Sequence, residues 1–270
     1  VDGSVAGSAP IIHHPDVRRM LMTMRALTEG CRAMASVAAA AYDAAHHHAD
    51  AQTREDNQAF YEFLVPLVKG YSTEMSQEVA SLGVQVHGGM GFIEETGAAQ
   101  HMRDARILTI YEGTTAIQAN DLVGRKTMRD GGTVARAVAT RIEQTEAELR
   151  ASGTDAALAM ATRLAHARAA YLEVVGFMTA LDAKKQINAI FAGSVPYLML
   201  AGNLVAGWQM ARALLVAQVL AGKGEDVAFM QAKIATAQFY AEHILTRAPG
   251  LRDAIVHGGG SVCALALGAF

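Results

Sequence analysis

Two short stretches of this chain hold residue types that helix packing does not require. The first is Tyr111-Glu112-Gly113-Thr114-Thr115-Ala116-Ile117-Gln118. There a carboxylate stands directly before a glycine and two hydroxyls, at what reads as the start of a helix. One reading is an acid favoured near a helix N-terminus by the macrodipole. The other is a general base at a loop tip, beside backbone donors. The second stretch is Gln85-Val86-His87-Gly88-Gly89-Met90-Gly91-Phe92, with three glycines in four positions. Such a turn can take positive φ and lets backbone approach a bulky group. Its bare N–H groups suit a phosphate or a ribose hydroxyl. A helix C-cap followed by a turn accounts for the same residues. Taken singly, both stretches favour the purely structural reading.

The elements that must position these stretches are helical. Pro15 and Asp16 open a pattern with apolar residues at Val17, Met20, Met24, Leu27, Cys31, Met34, Ala38 and Tyr42, ending near His46–His48. A second pattern runs from about Asp56 to Leu82, with a kink or short break expected at Pro66. Residues 83–97 hold five glycines in fifteen positions and are read as non-helical. A short helix is expected around Ala98–Ala105, then a turn and a helix that Thr114 or Thr115 can cap. Residues 129–133 (RDGGT) form the best boundary. Beyond them come helical patterns at roughly 133–151, 154–185, 187–222 and 225–247, then a short piece. In the second of these, Leu158, Ala161, Ala165, Leu172, Val175 and Leu181 are expected on one face. The fold class is therefore all-α, an antiparallel helical bundle.

Composition narrows the function. The 23 basic and 26 acidic residues are interspersed, so no basic stripe exists for nucleic acid. Two cysteines, Cys31 and Cys263, make no disulfide framework and fit a reducing compartment. No secretory signal opens the chain. Residues 186–211 carry no charge, but Asn188, Ser194, Pro196, Asn203 and Gln209 interrupt them, so a buried bundle helix is expected rather than a transmembrane segment. His13-His14 and His46–His48 lack acidic or cysteine partners at ligand spacing and read as helix ends, not a metal site. Met20, Met22, Met24 and Met34 read as core or dimer packing, and Trp208 as core of the second half.

Taken together, the two stretches and the residues between them say more. QVHGGMGF followed by HMRDARILTIYEGTTAIQ resembles the signature of the acyl-CoA dehydrogenase family. The match is long enough that chance agreement is remote. The resemblance implies that residues 1–130 are the family's C-terminal helical domain, and 131–270 an additional helical bundle like that of larger bacterial members. It also implies a bacterial, cytoplasmic, FAD-dependent enzyme that converts an acyl-CoA to a trans-2-enoyl-CoA. The position matching the base that removes the α-proton is Glu112. A carboxylate is a weak base in water, and a site dried by bound substrate strengthens it. The backbone N–H of this Glu would help to polarise the thioester oxygen. Tyr111 and Gly113 match substrate-slot positions, and Thr114 and Gln118 match contacts to FAD. Gln85, Gly88 and Gly89 match the turn that approaches the adenosine half of FAD held by a neighbouring subunit. A homodimer or dimer of dimers is thus expected. Arg103 and Arg106 are candidates to hold the Glu112 loop.

Electron-transfer flavoprotein is the expected acceptor. An acyl-CoA oxidase, with oxygen as acceptor, uses the same base. A non-catalytic helical assembly module is the third reading, and the retained Glu112 stands against it. The departure from the family lies in what residues 1–270 omit. Members carry an N-terminal helical domain and a β-domain over the flavin, and an R-x-x-G stretch that grips its pyrophosphate. VDGSVAGSA occupies that last position here. The chain therefore reads as part of a protein about twice this length, expected by itself to bind FAD poorly and to turn over no substrate.

Overall fold

Apolar residues recurring every three or four positions produce helices wherever the sequence places them, and the computed structural model, which describes residues 7–270, contains no strand among those residues. The first six residues of the VDGSVAGSA stretch lie outside it. Helix α1 (Pro15–His47) starts with proline at its first turn, where a missing N–H costs nothing. It buries Met20, Ala26, Leu27, Met34 and Ala38. His46 and His48 finish it: His46 Nδ1 lies 2.8 Å from Tyr42 O, and His48 Nδ1 accepts from Asp50 N at 3.1 Å. Asp50 then caps α2 (Ala51–Pro66), accepting from Thr53 N at 2.7 Å.

Pro66 has no N–H to donate back to its own helix, and the chain responds with a wide π turn, Leu67–Tyr71, before α3 (Ser72–His87) resumes. The expected irregularity is there, as a π turn within a continuous helical stretch rather than as a break. The glycine-rich reading of 83–97 needs a correction: 83–87 remain helical in α3. A methyl group on Gly83 would meet nothing within 4 Å, so that glycine only weakens the helix. The chain breaks at Gly88, with φ 62°. One helical turn, α4 (Gly89–Phe92), a 3₁₀ turn (Glu94–Thr96) and α5 (Ala98–Ile107) follow. Next come α6 (Thr115–Val123) and a second π turn (Gly124–Met128).

At the RDGGT turn Gly131 and Gly132 take φ of 65° and 82°. The Asp130 carboxylate accepts from the N–H groups of Gly132, Thr133 and Val134, which starts α7 (Thr133–Ser152). Helix α8 (Asp155–Ala183) is capped by Thr154. Its buried face is Ala157, Met160, Ala161, Leu164, Ala167, Tyr171, Val174, Val175 and Met178, and Leu158 lies exposed, contrary to expectation. The 187–222 pattern is two helices, α9 (Ile187–Ala192) and α10 (Ser194–Gly222). They part at Gly193, where a Cβ would sit 2.9 Å from Ile255 Cγ2. Helices α11 (Val227–His243) and α12 (Ala248–Val262) complete the bundle, so the expected short last piece is largely a helix.

Helix α10 is the axle. It packs against α1, α6, α8, α11 and α12, and every residue from 200 to 211 is buried. By length and composition alone it is apolar enough to cross a membrane, but neighbouring helices cover its central turns. Most of its buried polar atoms are matched to partners, Gln209 Nε2 being the exception. Tyr71 Oη donates to Asn203 Oδ1 at 2.9 Å, and Tyr240 Oη to the Asn203 carbonyl at 3.2 Å. Trp208 Nε1 donates to Thr145 Oγ1 at 2.8 Å, and its ring packs against Phe60. Trp208 therefore joins the two halves of the chain rather than serving the second alone. The apolar core likewise runs without a gap from α1 to α12. Glu146, fully buried, is held by Arg168 through two bonds of 2.7 and 3.1 Å.

Candidate active site

The loop between α5 and α6 carries Tyr111, Glu112, Gly113 and Thr114. It begins as loose turns, with Ile110 N and Tyr111 N both donating to Ile107 O. It then reverses through two left-handed residues, Glu112 at φ 47° and Gly113 at φ 95°. Glycine takes this conformation freely, whereas glutamate pays about 1–2 kcal/mol for it. The Glu112 side chain is exposed and, among the described residues, accepts no hydrogen bond and pairs with no cation. Thr114 rather than Thr115 caps α6, accepting from Ile117 N at 3.3 Å.

Side chains distant in sequence hold the strained loop. Lys69, in the π turn after Pro66, donates to Leu108 O at 3.2 Å and Tyr111 O at 3.4 Å. Its ammonium also sits 4.5 Å from the centre of the Tyr111 ring. Thr115 Oγ1 donates to the Glu74 carboxylate, and Arg106 donates to Thr109 Oγ1. Thr115 N closes the loop on Thr109 O at 3.2 Å. Gln118 folds back over Gly113, where a Cβ would lie 2.6 Å from Gln118 Nε2. Gly70 makes room for Gln118 on the other side, since a Cβ there would lie 2.9 Å from Gln118 Cβ. The structure thus brings Glu112, Gly113, Thr114 and Gln118 together with Lys69, Gly70 and Glu74, which the sequence reading missed. Their one signal was a Lys-Gly pair three residues after Pro66. Arg106 meets the loop through the Thr109 hydroxyl rather than through an ion pair; Arg103 pairs with Glu94 at 3.2 Å, away from Glu112.

Gln85, Gly88 and Gly89 lie elsewhere. Glu74 meets Thr115 near the start of α3, and Gly88 ends that helix. The rise of 1.5 Å per residue separates the two stretches by roughly 20 Å. Gln85, Gly88 and Gly89 are exposed, and above both glycines the space is open. Gly88 takes φ 62°, ψ −143°, which only glycine adopts readily. Gly91 faces inward, where a Cβ would lie 2.2 Å from Val84 O. An open groove of about 710 Å³ runs beside this turn, lined by Val84, Phe92, Ile93, Met102 and Arg106 among others. Gln77 lines it too, and its Nε2 is buried without an acceptor.

A smaller cavity of about 340 Å³ lies between α1, α3 and α5 and contains Cys31. Burial pushes the Cys31 thiol up to about 11. Cys263 is exposed. Because the thiolate is the reactive form, iodoacetamide at pH 8 is expected to alkylate Cys263 at least ~10-fold faster than Cys31. Peptide mapping over a time course would show it, and equal rates would contradict the burial of Cys31.

Comparison with known proteins supplies the family. The description "Acyl-CoA dehydrogenase, C-terminal domain" matches residues 3–127, and "Acetyl-CoA dehydrogenase C-terminal like" matches residues 137–266. The chain is 54% identical to the 3-methylmercaptopropionyl-CoA dehydrogenase of Ruegeria pomeroyi, covering 99% of this chain and 45% of that protein. A broad-specificity linear acyl-CoA dehydrogenase of Mycobacterium tuberculosis is 34% identical over 91% of this chain and 41% of its own length. The chain thus spans less than half the length of these relatives. A crystal structure of an acyl-CoA dehydrogenase complexed with FAD, from Bacillus anthracis, shares the fold with a TM-score of 0.65 and 19% identity, covering 94% of this chain and 44% of that one. With both family descriptions together accounting for nearly all of its length, and with the YEGT loop and glycine turn placed on the helices described above, this chain belongs to the acyl-CoA dehydrogenase family, of which it carries the C-terminal helical part.

Proposed function

We propose that this chain provides the catalytic base and part of the cofactor cradle of an FAD-dependent acyl-CoA dehydrogenase. The observation that carries the reading is Glu112 itself, an exposed, unpartnered carboxylate on a strained but firmly braced loop. Packing gains nothing from a glutamate at φ 47°, and strain retained at an exposed acid is common where chemistry needs it. Glu112 takes the α-proton of an acyl-CoA thioester, and Tyr111 and Gly113 border the acyl slot. FAD, when bound, supplies the acceptor for the β-hydride, so the product is a trans-2-enoyl-CoA.

The residues present suit parts of that cofactor. The glycine turn offers bare backbone under open space, and Gln77, a residue of the adjoining groove, has an unused buried donor in its Nε2. Thr114 and Gln118 would contact FAD near Glu112, and Gln85, Gly88 and Gly89 the adenosine half. The separation of roughly 20 Å along α3 supports a shared arrangement, in which the glycine turn serves the FAD of a second subunit in a homodimer or dimer of dimers. Electron-transfer flavoprotein is the proposed acceptor; a relative from Acetobacterium woodii, 42% identical over 52 residues, is a subunit of a caffeyl-CoA reductase–Etf complex.

The test is anaerobic addition of acyl-CoA thioesters to the flavin-loaded full-length protein. Flavin absorbance is expected to bleach as enoyl-CoA forms, whereas residues 1–270 alone are expected to hold little flavin and form no product. Failure of every straight and branched acyl-CoA to bleach the flavin would overturn the reading.

A further inference from the structure

Lys69 is a cation with an unusual set of partners. It is half-buried and forms no ion pair among the described residues. A surface lysine ordinarily extends into water or meets a carboxylate, because ordering its long side chain costs entropy. Here the ammonium instead donates to two carbonyls of the Glu112 loop, those of Leu108 and Tyr111, and covers the Tyr111 ring. Both carbonyls belong to the turns that follow α5, where a helix leaves its last C=O groups unsatisfied and favours positive charge.

The Tyr111 bond has a specific consequence. The Tyr111 carbonyl and the Glu112 N–H belong to one planar trans peptide unit, so fixing the oxygen fixes the plane and the direction of that N–H. The Glu112 side chain departs from this plane through a φ of 47°, a conformation that the isolated chain would leave. An anchor on the preceding carbonyl is therefore well placed to keep the carboxylate aimed. The π turn explains why Lys69 is available. The π turn after Pro66 places Lys69 and Gly70 side by side against the loop, Gly70 admitting Gln118 and Lys69 reaching the carbonyls.

We propose that Lys69 is a positioning residue for Glu112, acting by pinning the Tyr111–Glu112 peptide; this rests on Glu112 as the base. The test uses the flavin-loaded full-length protein with Lys69→Met, Lys69→Arg and Glu112→Gln side by side. Lys69→Met keeps most of the apolar stem but loses the donors. It is expected to lower kcat ~30-fold with KM within about threefold of wild type and unchanged flavin content, since a misplacement of about 1 Å can cost 10²-fold. Lys69→Arg, which restores donors, is expected to recover most of that loss. Amide exchange in a peptide covering residues 108–114 is expected to quicken about tenfold or more in Lys69→Met and to stay near wild type in Lys69→Arg.

Wild-type turnover in Lys69→Met alongside a collapsed Glu112→Gln would overturn the positioning role and leave the base assignment standing. Retained turnover in Glu112→Gln would remove the base and, with it, the catalytic meaning of Lys69. Unchanged exchange in Lys69→Met would show that the loop does not depend on this lysine, whatever the kinetics.

Discussion

Substituting Glu112→Gln in the full-length protein is expected to lower kcat about 10³-fold or more while flavin content and melting temperature stay near wild type. The amide keeps the size and backbone strain of glutamate and loses only the ability to take a proton, and general-base contributions are typically 10²–10⁴-fold. KM should move little, because the lost interaction is made as the proton transfers rather than on binding. Stability should hold because the side chain is exposed and has no partner to strand; surface changes of this kind usually stay within about 0.5 kcal/mol. Glu112→Gly sharpens the contrast. Removing Cβ at φ 47° relieves about 1–2 kcal/mol of strain, part of which the greater freedom of unfolded glycine offsets. That variant should therefore be inactive and slightly more stable. Steady-state kinetics with thermal melts on the three proteins would settle both points, and substantial turnover by Glu112→Gln would end the assignment.

Gly202→Ala is expected to be strongly damaging to the core. The added Cβ would lie 2.2 Å from Tyr71 Cγ, 2.3 Å from Cδ2 and 2.7 Å from Cβ. A χ1 rotation moves Cγ and Cδ2, but Cβ is fixed to the backbone and stays 2.7 Å away, and Tyr71 is fully buried with little room to rotate. The remaining escape is to push α10 away from the π turn, which also breaks the bonds among Tyr71, Asn203 and Tyr240. Overpacking alone costs about 1–3 kcal/mol, and each stranded buried polar group a further 1–3. A loss of at least ~3 kcal/mol follows, with a melting temperature lower by roughly 10 °C or no soluble protein. Gly222→Ala is the control. It lies at the end of the same helix with nothing within 4 Å, and should be neutral or mildly stabilising. A Gly202→Ala protein melting within about 1 °C of wild type would show that α10 and the π turn are not locked together. The lock matters for the site, because the π turn that touches α10 is the one that carries Lys69 and Gly70.

Much of the architecture was legible because its causes are local. Pro15 and Thr114 start helices with atoms a few residues away, and Pro66 disturbs its helix by lacking an N–H, whereas the start of α2 at Asp50 precedes the expected Asp56. The face of α8 was misread for a related reason. Apolar residues, many of them alanine, occur all round that helix, so periodicity alone does not choose a side; Leu158 ended in solvent while Met160 and Leu164 went inward. The division of 187–222 at Gly193 depends on the approach of Ile255, more than sixty residues away, and no local pattern encodes that contact.

The Glu112 motif shows the same division. The residue types from Tyr111 to Gln118 were determined by the sequence alone, since a glycine after the acid and a threonine cap act within two turns of chain. So too was the all-helical class, from hydrophobic spacing. What only the tertiary structure decided is how that loop is held. Lys69 lies 42 residues before Tyr111, and Glu74 lies 41 before Thr115; both arrive because the π turn leads into α3, which packs against α5. The roughly 20 Å between Glu112 and the glycine turn was equally hidden, because two motifs close in sequence are held far apart by the helix that runs between their contacts. Local chemistry set the residue that can accept a proton, and long-range packing set where it points.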